Sequence, residues 1–287
     1  MQTDRIINAL TIDVEDYWAI LQRDWLNISA VKPTEAVLNN TMWYLQTLKE
    51  HNTKATFFIL GEVAQSFPKL IREIAGQGHE IAVHGFYHHQ IFKLSKDDFK
   101  KEVGDAKKLL EDLSGQNIIG HRAPAFSINK DTQWALEVLA ELDYKYDSSV
   151  SPRAGKRYGW PGFKKEIHRM LLPSGQNIIE VPMSAISLGI KELGIGGGYM
   201  RHFPYFYTKW AINHIQKNRP AVVYMHPYEI DSDIMLLKLD NLTGQEKTVA
   251  LKFHRLQMRN RNTVKSKVEK LLSDFRFSTI KDILRDF

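Results

Sequence analysis

The chain alternates between short apolar runs and longer segments whose apolar residues recur at helical spacing. The runs IINALTID, KATFFILG, HEIAVHG, IIGHRAPAFS, YKYDSS, NIIEVPMS and PAVVYMHP read as buried strands. Between them, Val37, Leu38, Met42, Leu45 and Leu48 lie on one face of a helix that Pro33 and Thr34 open. FPKLIREIAGQG, DDFKKEVGDAKKLLEDL (opened by Ser95 with Asp98 three residues on), TQWALEVLAEL and FYTKWAINHIQKN read as further helices. Such alternation predicts an α/β fold of parallel strands joined by crossover helices, and the length suits a (β/α) barrel better than an open sheet.

Composition narrows this further. With 287 residues and 43% hydrophobic content the chain can bury one large core, so residues 1–287 are expected to form a single barrel domain with 231–287 as a C-terminal extension packed on it. There is no cysteine, which excludes disulfides and thiolate metal sites. The first residues, MQTDRIINALTIDVEDYW, lack the uninterrupted apolar segment of a signal peptide, and no run approaches a membrane span, so a soluble, cytoplasmic protein is expected. The net charge of +6 owes much to Arg255, Arg259, Arg261, Lys265 and Lys267. These read first as a solvated helix face, and second as a surface for an anionic polymer or for peripheral contact with a membrane. No nucleic-acid module and no protein partner is indicated.

Polar residues then fall at telling places. Asp13, His84, Arg122, Asp147 and His226 each sit at or just after the end of an expected strand, where a (β/α) barrel gathers its active site. His84 and His88 are spaced H-x-x-x-H, and Gly85 lets the backbone turn out of the strand. Two imidazoles four residues apart can meet at one point and hold a divalent ion. Asp13, Glu15 and Asp16 offer carboxylates; Asp13 and Glu15 share a face on a strand, whereas Asp16 is reached only if the chain has turned.

In order, the motifs TIDVED, HGFYH, RAPAF, YDSS and YMHP resemble those of the polysaccharide deacetylase family, the NodB-homology carbohydrate esterases of family 4 type. RAPAFSI, GGGYMRHFPY and YMHPYEID further resemble a subgroup from exosortase and extracellular-polysaccharide loci. The resemblance implies a distorted (β/α) barrel with seven parallel strands and a metal-dependent hydrolase that removes N-acetyl groups from amino sugars. It implies Asp13 as general base, Arg122 as its orienting partner, His226 as general acid and Asp147 as the carboxylate that tunes His226. The metal, most simply Zn2+, would be held by His84, His88 and a carboxylate. Val14 breaks the family's paired aspartates, so Glu15 or Asp16 must supply that ligand, and strand alternation favours Glu15. The substrate would be an N-acetylated polysaccharide or its lipid-linked precursor, with a backbone N–H near Ala125 or Phe126 facing the oxyanion. Phe126, Trp160 and Tyr199, with Trp18, Tyr158, Phe203 and Tyr205, are candidate sugar-stacking faces, and the glycines of GIGGGYM would let the backbone approach a ligand. A hydrolase of non-sugar C–N bonds, resembling allantoinases, and an inactive carbohydrate-binding homologue are the alternatives.

Overall fold

A computed structural model describes residues 6–25, 28, 31–152, 159–189, 191–232 and 242–287. Among the described residues, eleven strands form in chain order: β1 (Asn8–Val14), β2 (Thr56–Ile59), β3 (Glu80–Val83), β4 (Gly120–His121), β5 (Tyr146–Asp147), β6 (His168–Leu171), β7 (Asn177–Glu180), β8 (Ala185–Leu188), β9 (Lys191–Gly194), β10 (Val222–Met225) and β11 (Phe277–Ser278). The main sheet runs β10-β1-β2-β3-β4-β5-β7-β6, and β11 adds to β1. Every pairing from β10 to β7 is parallel, which gives seven parallel strands along that path. β6 joins β7 antiparallel as a hairpin, and β8 and β9 form a separate antiparallel pair. The sheet is therefore a curled, mostly parallel half-barrel rather than a closed eightfold one.

The helices that cross between the first strands are α1 (Tyr17–Ile20), α2 (Glu35–Glu50), α3 (Gly61–Ser66), α4 (Pro68–Gly76), α5 (Lys96–Ser114) and α6 (Trp134–Glu141). α7 (Gly197–His202), α8 (Tyr205–Ile215), α9 (Gly244–Met258), α10 (Val264–Asp274) and α11 (Ile280–Ile283) follow. Parallel strands covered on both faces need no polar alternation, and β1, β2 and β3 are buried throughout. Helix entries are encoded locally: Ser95 Oγ accepts the Asp98 N–H at 3.1 Å, and Pro68 opens α4. Ala9, Phe58, Ala82, Tyr146 and Val222 fill the barrel interior, while Leu10, Ile12, Phe57, Ile81 and Val223 pack outward under the helices.

The gap between β10 and β7 is narrowed by hydrogen bonds outside regular strands. Ser184 Oγ accepts the Val222 N–H at 2.8 Å, and Gly196 bridges to Tyr224. A Cβ on Gly196, whose φ is +88°, would stand 2.2 Å from the Tyr224 carbonyl oxygen, and one on Gly197 would strike the Tyr224 ring. These two glycines thus admit β10 rather than a ligand; Gly198 alone of the triplet lines the cavity described below. At the opposite end of the barrel, the C-terminal segment is tied in by Ile280 N–H to Thr56 Oγ1 at 2.8 Å and Lys281 N–H to Glu80 Oε2 at 2.9 Å. Among the described residues, no helix is long and apolar enough to cross a membrane.

Candidate active site

The strand ends at one mouth of the barrel surround a cavity of about 620 Å³ lined by Asp13, Glu15, His84, His88 and His226 among others. Asp13 lies on β1, His84 directly follows β3, Arg122 directly follows β4, and His226 directly follows β10. Residues two apart on a strand share a face, so Ala9, Thr11, Asp13 and Glu15 turn inward together, as do Ala82 and His84, and Tyr224 and His226.

Glu15, His84 and His88 offer three buried ligand atoms, all within 4.8 Å of one another. Glu15 Oε2 is 3.2 Å from His84 Nε2 and 2.9 Å from His88 Nε2. Ligands about 2.0–2.1 Å from a tetrahedral zinc ion stand roughly 3.3 Å apart, so this donor set fits a divalent ion of that size. His84 Nδ1 lies 2.8 Å from the Arg122 carbonyl oxygen, which can only accept, so Nδ1 carries a proton and Nε2 is the nitrogen turned to Glu15. Burial alone would raise the pKa of Glu15, but His88, His226 and His84 outweigh it and hold the carboxyl well below its usual range. A permanently ionised carboxylate between two imidazoles is what a metal site requires.

Asp16, the other candidate ligand, is not there. Its Oδ1 caps α1 by accepting the Trp18 and Ala19 N–H groups at 2.7 and 3.0 Å, and its Oδ2 accepts from Thr34 N–H and Oγ1 at 2.7 and 2.5 Å. The chain turns into α1 at this residue, so Asp16 pins the start of α2 instead of meeting the histidines.

Asp13 is held by Arg122, which is wholly buried. Arg122 Nη1 donates to Asp13 Oδ1 at 2.5 Å and to Thr11 Oγ1 at 2.8 Å, while Nε and Nη2 donate to the carbonyl and hydroxyl of Ser148 at 3.1 and 3.0 Å. The guanidinium also lies over the Phe58 ring, 4.0 Å from its centroid. With its fork filled this way, Arg122 fixes one orientation of the carboxylate. The other Asp13 oxygen, Oδ2, is 3.9 Å from His226 Nε2, and Glu15 Oε1 is 3.4 Å from the same nitrogen. Burial pulls the His226 pKa down, but Glu15, Glu229 and Asp13 outweigh it and raise it to about 9.

Asp147 does not reach His226. It accepts from the His121 imidazole, Nδ1 to Oδ1 at 2.7 Å, and from Ser149 at N–H and Oγ, 2.9 and 2.7 Å. Its place beside His226 is taken by Glu229, whose Oε2 is 3.5 Å from His226 Nδ1 and accepts the His226 backbone N–H at 3.2 Å. Glu229 is the residue that sequence reasoning missed; its signal was the spacing of His226 and Glu229, three apart, as in a capping box.

Phe126, Tyr199 and Phe203 line the cavity. Trp160 does not: it packs against Phe163 with ring centroids 4.9 Å apart. Nor do Trp18 and Tyr205, and Tyr158 lies outside the described residues. The basic C-terminal run is also not one solvated face. Arg261 is buried between the Tyr17 and Tyr228 rings, and Lys267 Nζ donates to the Met200 and Phe203 carbonyls at 2.8 and 3.0 Å.

The backbone is strained where the chemistry gathers. Among the described non-glycine residues with positive φ, Asn52, His88, Asp143 and Asn260 are types that tolerate it, but Ala125 and Phe126, at +53° and +51°, are not, and both line the cavity. Each such residue costs about 1–3 kcal/mol and persists only where its surroundings impose it. Phe126 N–H donates to the Ala123 carbonyl at 3.1 Å, so of the two candidate oxyanion donors it is already engaged.

The model of the polysaccharide deacetylase family matches residues 34–146. Residues 34–146 thus resemble that family. A second model, for a domain of unknown function (DUF3473), matches residues 148–285. The candidate site draws on both segments and on Asp13 and Glu15, which precede them. A peptidoglycan-N-acetylglucosamine deacetylase of Bacillus cereus is 36% identical over 94 residues, covering 32% of this chain and 34% of that protein. A chitooligosaccharide deacetylase of Sinorhizobium fredii is 31% identical over 118 residues, 40% of this chain and 53% of that protein. The matched region thus spans about a third to a half of these relatives. In fold, the chain is similar to a solved Mycobacterium smegmatis structure assigned to the polysaccharide deacetylases (TM-score 0.63, 20% identity, covering 99% and 91% of the two chains). It is similar also to PuuE allantoinase (TM-score 0.61, 14% identity, covering 98% and 89%).

Proposed function

We propose that this chain is a metal-dependent hydrolase that removes N-acetyl groups from amino sugars of a polysaccharide or of its lipid-linked precursor. The observation that carries the reading is the Glu15–His84–His88 triangle beside an Arg122-held Asp13, all on the wall of one cavity. Glu15, His84 and His88 would hold the ion, Zn2+ being the simplest choice for two imidazoles and a carboxylate. When bound, a divalent ion there polarises a carbonyl and acidifies water.

The rest is done by the chain. Asp13, fixed by Arg122, accepts the proton of the attacking water. The Ala125 N–H, presented at the cavity wall by strained backbone, is the donor offered to the developing oxyanion, an interaction worth about 3–4 kcal/mol in comparable sites. His226, kept protonated by the carboxylates around it, delivers a proton to the departing amine, and acetate and a free amino sugar result. Phe126, Tyr199 and Phe203 supply the apolar faces on which a sugar ring can lie.

The test is acetate release from N-acetylglucosamine oligomers and from N-acetylated polysaccharide by protein loaded with Zn2+ and by protein stripped with chelator. Metal-dependent acetate release is expected. Ring-opening of a cyclic ureide to its ureido acid, with no acetate released from the sugars, would replace this reading with the allantoinase-like one. A chain that releases nothing from either class would favour the binding homologue.

A further inference from the structure

One buried ion pair near the cavity, Glu229 with Arg201, has only its carboxylate used by the chemistry above. Glu229, 1% exposed, faces His226 with Oε2 and Arg201 with Oε1, the latter 3.3 Å from Arg201 Nε. Burial would raise the Glu229 pKa, but His226 and Arg201 outweigh it and lower it, so the carboxylate is ionised. Taking two charges out of water is costly unless their remaining hydrogen bonds are met. Among the described residues, Arg201 meets its own on the C-terminal end of α9: Nη1 donates to the Gln257 and Leu256 carbonyls at 2.6 and 3.2 Å, and Nη2 donates to Gln257 Oε1 at 3.0 Å. Arg261 Nε donates to the same Gln257 carbonyl at 2.7 Å.

α9 is also the roof of the cavity. Phe253 and Gln257 line it, Phe253 stacks on Tyr17 with centroids 5.8 Å apart and planes 14° off parallel, and the Tyr17 hydroxyl meets His254 Nδ1 at 3.0 Å. The last turn of α9 therefore touches both the space for substrate and, through two side chains, the imidazole at its floor.

We propose that Glu229 is the positioning residue of His226, and that Arg201 makes its aim conditional on α9 being docked over the cavity. The helix that encloses the substrate then also sets the proton donor, so an enzyme with its roof undocked has a misaligned His226. This rests on the deacetylase reading for its kinetic arm only.

The test compares Glu229→Gln, Arg201→Met and the double variant, each loaded with Zn2+. Acetate release should fall about 10–100-fold in kcat for Glu229→Gln with KM changed less than about threefold, the size typical of losing an orienting contact. Arg201→Met should lose a similar factor in kcat, and the double variant no more than the worse single one, because both break one relay. Amide exchange across residues 244–258 should speed up at least tenfold in Arg201→Met but not in Glu229→Gln, with exchange in α2 unchanged in both. Unchanged kcat in Glu229→Gln, or losses that multiply in the double variant, would overturn the relay. If the parent releases no acetate, the deacetylase reading fails separately, and the relay is judged by the exchange data and by crystal structures of the single variants. There, His226 must leave its parent rotamer in Glu229→Gln, and an unmoved imidazole in both refutes it.

Discussion

Two histidine–carboxylate clusters sit one strand apart in this barrel and have opposite fates. Glu15, His84 and His88 face the cavity, whereas His121, Asp147 and Glu180 are sealed behind β4, β5 and β7. Both clusters are buried, both lie at strand C-terminal ends, and their closest His–carboxylate contacts are 2.9 and 2.7 Å. The difference is strand parity. His121, Asp147 and Glu180 are direct cross-strand partners and so share one face. That face turns outward, toward Phe99 on α5 and Tyr144, whose ring centroids are 5.8 and 5.9 Å from that of His121. Their neighbours Arg122 and Tyr146 have the inward parity. A strand-end position is thus necessary for membership in the site, but the face decides it.

The largest effect that sharpens the comparison is expected from the open cluster. His84→Ala or Glu15→Ala should abolish metal binding and metal-dependent turnover while the chain stays folded, measured by elemental analysis and circular dichroism. Arg122→Lys comes next: a single ammonium cannot satisfy Asp13, Thr11 and Ser148 together, so kcat should fall about 100-fold with metal retained. Asp147→Asn should do the reverse, costing about 2 kcal/mol in denaturant unfolding, the worth of a buried hydrogen bond to a charged acceptor, with metal content unchanged. Asp16→Ala should cost about 1 kcal/mol, as loss of a helix cap does, again with metal unchanged.

The sealed His121 and the cavity-facing His226 also predict opposite pH signs. The His121 pKa is lowered, by burial first and against the pull of Asp147, so its folded value lies below the unfolded one. Its contribution to stability is complete above about 6.5 and is lost as the pH falls from there toward that folded pKa. The His226 pKa is raised to about 9, so its contribution is complete below about 6.5 and is lost as the pH rises through 9. Imidazole NMR titration of metal-free protein should find His226 still protonated at pH 8 and a His121 midpoint below that of a free imidazole. Added Zn2+ should lower the His226 midpoint, because an ion on Glu15 cancels the charge that raises it.

Much of this was legible in the chain. β1, β2, β3 and β10 announced themselves as mostly apolar runs because parallel strands covered on both faces need no polar alternation. Glu15 over Asp16 followed from the same period of two that places Asp13 inward. That period, applied to His121, Arg122 and Asp147 together, would also have shown Asp147 on the outer face; reading Asp147 by motif alone hid it. β7 was read from NIIEVPMS, but its hairpin partner β6 and the β8–β9 pair were hidden because those strands are short and partly exposed. The roof helix α9 went unread apart from Arg255, since its inward side is marked by little more than Ala250, Phe253 and Gln257. Arg261 shows the limit of counting charges: its burial depends on Tyr17 and Tyr228, more than thirty residues away in sequence in one case and over two hundred in the other.

The most direct test of the account is the metal content of purified protein after Zn2+ loading and dialysis, with His84→Ala/His88→Ala and Asp147→Asn measured alongside. One ion per chain in the parent and in Asp147→Asn, and none in the double histidine variant, is the predicted result. A folded parent that holds no ion, or an Asp147→Asn variant that loses it while the histidine variant keeps it, would contradict the assignment of the open cluster as the metal centre.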